Sequence, residues 1–201
     1  MRTRWMMMIA GAAFALSHAA PNGKDYRVGE RLPDAAAGKP GKQAGKYRDI
    51  GWEALVPRHW DAMTSFRKNM AQLSDADPRA IAALEQLRKE WDKAPVEPAM
   101  NGVRVRISGF VVPLDGDDGH IREYLLAPYF GACIHTPPPP ANQVIHVFAD
   151  KPSSDVYMMA AVSISGVLQT VSSPASGQAM GLAGSMGYRM RVEQVAAYKR
   201  P

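Results

Sequence analysis

The period of the apolar residues changes once along this chain, at Gly102, and that change decides the fold class. Downstream, Val103, Val105 and Ile107 alternate with Arg104, Arg106 and Ser108, the two-residue period of a strand with one buried face. Gly109 interrupts the pattern, which suggests a bulge or sharp bend, and Phe110 to Val112 carry it on to Pro113. Further strands are predicted over Ile121–Leu126, Gln143–Phe148, Val162–Val171 and Tyr188–Val195, with a second glycine break at Gly166. Leu114 to Gly119 reads as a turn, in which turn chemistry accounts for Asp115, Asp117 and Asp118. Short kinked strands curl, because a flat sheet would leave two exposed edges. The expectation is a mainly β (α+β) domain over residues 99–198, a small five-stranded antiparallel barrel of the OB-like, Greek-key kind. A small β-sandwich is the competing fold.

Upstream the period is helical. Pro78 suits a first helical position after Asp77 as cap, and Ile81, Leu84, Leu87 and Trp91 recur on one face until Pro95 and Pro98 stop the run. This helix should lay its apolar stripe against the core, and residues 61–73 read as a preceding helix. Residues 47–98 therefore form an N-terminal helical segment, in which Trp52 or Trp60 should anchor on the main domain. Residues 21–46 are rich in Gly, Pro, Ala and Lys and read as a flexible linker. Residues 1–20 carry Arg2 and Arg4, then an apolar run from Met6 to Leu16, then Ser17-His18-Ala19. That is the layout of a cleaved secretory signal peptide, with an apolar run too short to span a bilayer.

Export gives the composition its meaning. Loss of Arg2 and Arg4 lowers the formal charge from +5 to +3, and no Lys/Arg block remains to suit a nucleic acid. No second long apolar segment follows, so no stable membrane insertion is expected after cleavage. The chain has 1 cysteine, Cys133, which cannot close an internal disulfide. An unpaired thiol in an oxidising compartment is a liability unless it is buried, metal-bound or used.

Cys133 sits in the stretch LLAPYFGACIHTPPPPANQVIHV, with His135 close behind it and His146 beyond the proline run Pro137 to Pro140. Thiolate and imidazole are zinc ligands, and three protein groups suffice where a further group fills the fourth place. In an extended segment Cys133 and His135 can face the same way, and the proline run stiffens the loop between His135 and His146. The same residues admit a thiol enzyme, with His135 or His146 as base and the Gly131 and Ala132 amides as oxyanion donors. They also admit a buried structural cysteine. Met180, Met186 and Met190 are soft donors too, but methionine routinely fills gaps in cores.

Three blocks resemble an uncharacterised, domain-of-unknown-function family of bacterial exported proteins and lipoproteins. They are Ile50 to Pro57 (IGWEALVP), Ile107 to Leu114 (ISGFVVPL), and Leu125 to Pro128 through Ala132 to Pro139. The likeness covers roughly residues 47–197. It implies a periplasmic protein, since some members accompany ABC-type transporter components in zinc-responsive gene clusters. The expected function is thus a non-catalytic periplasmic accessory that binds a divalent transition metal, zinc above others, through Cys133, His135 and His146. Its expected partner is the periplasmic face of such a transporter. An interaction module without a metal is the alternative, and a Cys/His thiol enzyme the third reading.

Overall fold

A computed structural model describes residues 26–33, 43–44, 46–61, 78–115, 120–132, 139–176 and 185–200. Two short strands, β1 (Gln43–Ala44) and β2 (Tyr47–Asp49), precede one α-helix, α1 (Pro78–Asp92). Five strands follow: β3 (Arg104–Pro113), β4 (Glu123–Ala127), β5 (Ile145–Ala149), β6 (Ala161–Ser176) and β7 (Ser185–Ala197).

The five strands close on themselves. They run β3-β4-β5-β7-β6, and β6 returns to pair with β3, so no edge is left between them. The pairs β3–β4, β4–β5, β6–β7 and β3–β6 are antiparallel, whereas β5 and β7 run parallel, with Ile145 opposite Tyr188 and Ala149 opposite Val192. The expected barrel is therefore present, but as a mixed barrel. The parallel seam follows from connectivity: three strands meander, and the last two form a hairpin that slots between the first and third.

Alternation sorts the side chains. Val105, Ile107 and Val111 of β3, Tyr124 and Leu126 of β4, Ile145 and Val147 of β5, Ile164 of β6 and Met190 of β7 share one core inside the barrel. Gly109 keeps its register with Val162 instead of forming a bulge. It lies where β3 begins to pair with β4, and a side chain there would stand 2.7 Å from the Ala127 carbonyl oxygen. Glycine is needed for that close approach. Gly166 does mark a register shift, between it and Ser165.

Among the described residues, the N-terminal segment adds a short strand and 3-10 turns to its helix. β2 joins the barrel in parallel with β3, through Arg48 opposite Val105. Trp52 to Leu55 form one 3-10 turn whose Trp52 and Leu55 enter the barrel core, and the Trp52 indole N–H donates to the Ser108 carbonyl at 2.8 Å. α1 begins at Pro78 as expected, but its stripe does not meet the core as a whole. Leu87 is buried, while Ile81 is 53% and Leu84 39% exposed. Asp77 and residues 62–77, with most of the helix expected at 61–73, lie outside the described residues.

Part of the stretch read as linker is packed. Tyr26 and Leu32 are buried on the outside of the barrel with Phe110, Ala161 and Tyr198. Each stabilises by about 1.5–3 kcal/mol over an exposed position. The backbone of this eight-residue strap bonds to the chain entering the proline-rich loop: the Gly29 N–H donates to the Phe130 carbonyl, and the Phe130 N–H to the Glu30 carbonyl, both at 2.9 Å. Gly29 has φ +85°, which glycine adopts freely.

Candidate functional site

Of the three expected ligands, the structure describes one. His146 lies on β5 between Ile145 and Val147, which point into the barrel, so its imidazole stands on the outer wall. Across the β4–β5 ladder its Nε2 meets the Glu123 Oε1 at 2.7 Å. A carboxylate only accepts, so Nε2 carries the hydrogen, and in the neutral imidazole the lone pair falls to Nδ1. The imidazole ring centroid is 4.2 Å from that of Phe148, which limits its rotation. The His146 side chain retains 14% of its accessible surface and Glu123 34%, so the pair sits in a shallow, half-shielded place. Carboxylate–histidine pairs of this kind orient metal ligands, fixing the tautomer and raising the basicity of the ligating nitrogen. They equally hold structural histidines in place.

Glu123 was not anticipated from sequence. Its outward phase was readable, because Tyr124 and Leu126 point inward, but its meeting with His146 depends on the β4–β5 register. His146 faces Leu125 in that register, and Glu123 is its diagonal neighbour. The Asp115 carboxylate accepts from the Glu123 backbone N–H at 2.7 Å and from that of Arg122 at 3.2 Å, which ties the turn to the start of β4.

Cys133 and His135 lie outside the described residues; the chain around them is described up to Ala132 and again from Pro139. Before the gap, Gly131 takes φ +81° and donates its N–H to the Met159 sulfur at 3.3 Å. Met159 itself has φ +62°, a strained conformation for a side-chain-bearing residue. After it, Asn142 is fully buried and donates Nδ2–H to the Pro95 carbonyl at 2.9 Å. An outer apolar cluster of Val112, Leu125, Val144, Met159 and Met186, with Phe130 against it, lies on the same side of β4 as Glu123. The loop's two stems are therefore anchored on the outer wall. Met186 fills that cluster and Met190 the barrel interior, while Met180 lies outside the described residues. Among the described residues no group of three or more His, Cys, Asp or Glu side chains could hold a metal ion, and none of their helices is long and apolar enough to cross a membrane.

The chain is similar to a solved protein of the DUF3299 family from Pseudomonas aeruginosa PAO1. The two share 26% identity with a TM-score of 0.55, over 78% of this chain and 99% of that one. Two aspartyl-tRNA synthetases resemble it more distantly. A putative one from Leishmania major Friedlin is 11% identical, with a TM-score of 0.31 over 56% of this chain and 20% of its own. One from Entamoeba histolytica is 11% identical, with a TM-score of 0.30 over 87% of this chain and 28% of its own. No curated protein matches the sequence. The family model described as "Protein of unknown function (DUF3299)" matches residues 52–197, from the first core tryptophan to the end of β7, and the chain belongs to that family.

Proposed function

We propose that this protein is an exported, non-catalytic periplasmic accessory that binds a divalent transition metal, zinc above others, through Cys133, His135 and the Nδ1 of His146. The observation that carries the reading is the 2.7 Å contact between His146 and Glu123 on the outer wall. With Nε2 engaged, Nδ1 is the ring nitrogen left to ligate, on the strand that follows Cys133 and His135 in the chain. A borderline-soft ion with no geometric preference of its own suits one thiolate and two imidazoles. The transporter association implied by the family resemblance would make the protein a carrier or buffer for such an ion, with the periplasmic face of an ABC-type transporter as its partner.

Zinc titration of the chelator-stripped protein tests this. Wild type should take up one ion per chain, and Cys133→Ala/His135→Ala should lose that uptake. His146→Ala should weaken it at least about tenfold, the loss of one ligand. Equal uptake by wild type and the Cys133→Ala/His135→Ala variant would refute the proposal.

A further inference from the structure

The entrance and exit of the Cys133 loop are held by the same short piece of chain. At the entrance, Arg31 forms an isolated antiparallel bridge with Tyr129, and Gly29 and Glu30 exchange backbone hydrogen bonds with Phe130. The Arg31 guanidinium also lies 5.9 Å from the centroid of the Tyr129 ring. At the exit, that guanidinium donates to the Gln143 Oε1 at 3.2 Å. Arg31 thus touches both stems, and they meet through it across the outside of the barrel.

The strap is anchored at both of its ends. Tyr26 packs its ring edge-on against Phe110 at 5.0 Å and stacks with Phe130 at 6.0 Å. Arg200 stands 4.9 Å from the Tyr26 ring centroid and pairs with Glu30 at 3.0 Å. At the far end Leu32 is buried, and the Tyr198 hydroxyl donates to the Pro33 carbonyl at 2.9 Å. Two apolar anchors flank a polar middle, in which the Gly29 N–H, the Glu30 carbonyl and Arg31 reach the loop stems while the Glu30 carboxylate serves Arg200 and the Arg27 N–H. A segment serving only to cover Phe110 and Ala161 would have no need of the contact to Gln143.

We infer that residues 26–33 are a positioning strap for the Cys133/His135 loop, and that Arg31 is the positioning residue that ties its two stems together. The strap sets the separation of the two stems, Tyr129–Phe130 and Gln143. Its effect on an ion rests on the metal reading above; its effect on the stems does not.

The full-length protein supplies the test, in two measurements. Amide hydrogen exchange is followed in metal-free protein, and zinc ion alone is titrated by calorimetry. In Tyr26→Ser/Leu32→Ser the Phe130 and Gly29 amides, which bond across the strap–stem contact, should exchange about tenfold faster or more, because their protection depends on the strap staying docked. Zinc should bind that variant about tenfold more weakly. Arg31→Ala removes an exposed side chain and should leave the unfolding midpoint unchanged. It should still weaken zinc binding about fivefold, with part recovered in Arg31→Lys, which keeps a cation beside Tyr129. Unchanged exchange in the double variant overturns the strap. Faster exchange with unchanged zinc affinity in both variants overturns its positioning role. If wild type itself binds no zinc, the metal reading fails, and the exchange measurement alone decides the strap.

Discussion

Two tyrosines inside this barrel differ by one observable, and substituting each with phenylalanine isolates it. Tyr124 and Tyr188 are both fully buried in the same core. The Tyr188 hydroxyl donates to the Leu55 carbonyl at 2.7 Å and accepts from the Glu97 N–H at 2.6 Å. It thereby ties both the Trp52 turn and the approach to β3 onto β7. Among the described residues, the Tyr124 hydroxyl has no hydrogen-bond partner. Tyr188→Phe keeps the ring but orphans a buried carbonyl and a half-buried N–H. At about 1–3 kcal/mol for each stranded group, the cost should be about 3 kcal/mol. Tyr124→Phe removes a hydroxyl that gains nothing from burial, so stability should hold or rise by up to about 1 kcal/mol. Urea unfolding reads both. With a slope of about 2 kcal/mol per M, Tyr188→Phe should lower the midpoint by about 1.5 M while Tyr124→Phe leaves it level or higher. If the two variants lie within about 1 kcal/mol of each other, the hydrogen bonds of Tyr188 are not what joins the N-terminal segment to the barrel.

Burial holds the Tyr188 phenol up at about 12, against an ordinary value of 10.0, and raises that of Tyr124 as well. The folded state keeps protons that the unfolded chain releases. Stability should therefore be full below pH 10 and fall between about pH 10 and 12, by about 1.4 kcal/mol per pH unit for each tyrosine. Tyr188→Phe should lessen that slope in alkaline unfolding curves, and an identical slope would contradict it. Gly109→Ala should cost about 2–3 kcal/mol in thermal or urea unfolding, since its Cβ would meet the Ala127 carbonyl at 2.7 Å and the Trp52 ring at 2.9 Å. Gly102→Ala, at φ +78° but with open space around it, should cost only about 1–2 kcal/mol of backbone strain. Glu123→Gln should weaken zinc binding about tenfold in the calorimetric titration, because an amide holds the His146 tautomer less firmly than a carboxylate.

The legible part of the fold was the part written in neighbouring residues. Val103, Val105 and Ile107 against Arg104, Arg106 and Ser108 established the faces of β3, and the same logic found the other four barrel strands within a few residues. The glycine break read at Gly166 coincides with a register shift. What alternation cannot carry is partner identity: nothing local to Tyr188–Val195 says that it runs parallel to Ile145–Ala149. α1 misled for a related reason. Ile81 and Leu84 have the right spacing for a core stripe, but only Leu87 and Ala80 are buried. The Gly/Pro/Lys composition around residues 21–46 hid two anchors, Tyr26 and Leu32, because averaging over a window dilutes single apolar residues. At the site, His146 was legible as a residue type. Its partner Glu123 was not, since their meeting is a property of register.

The docked strap also alters how far this barrel can stand from anything its N-terminus is fixed to. A free tail over residues 21–46 would be a long leash. With chain pinned at Tyr26, only residues 21–25 separate the predicted leader from the barrel wall, and at about 3.5 Å per residue that is a reach of roughly 20 Å. A copy that kept its leader in a bilayer would hold the wall beside Phe130, and with it the entrance to the Cys133 loop, close to the headgroups. A copy released by cleavage would carry the same loop through the open compartment. On the proposed export, one proteolytic cut would thus separate a surface-bound form from a diffusing one, without a change in the barrel itself.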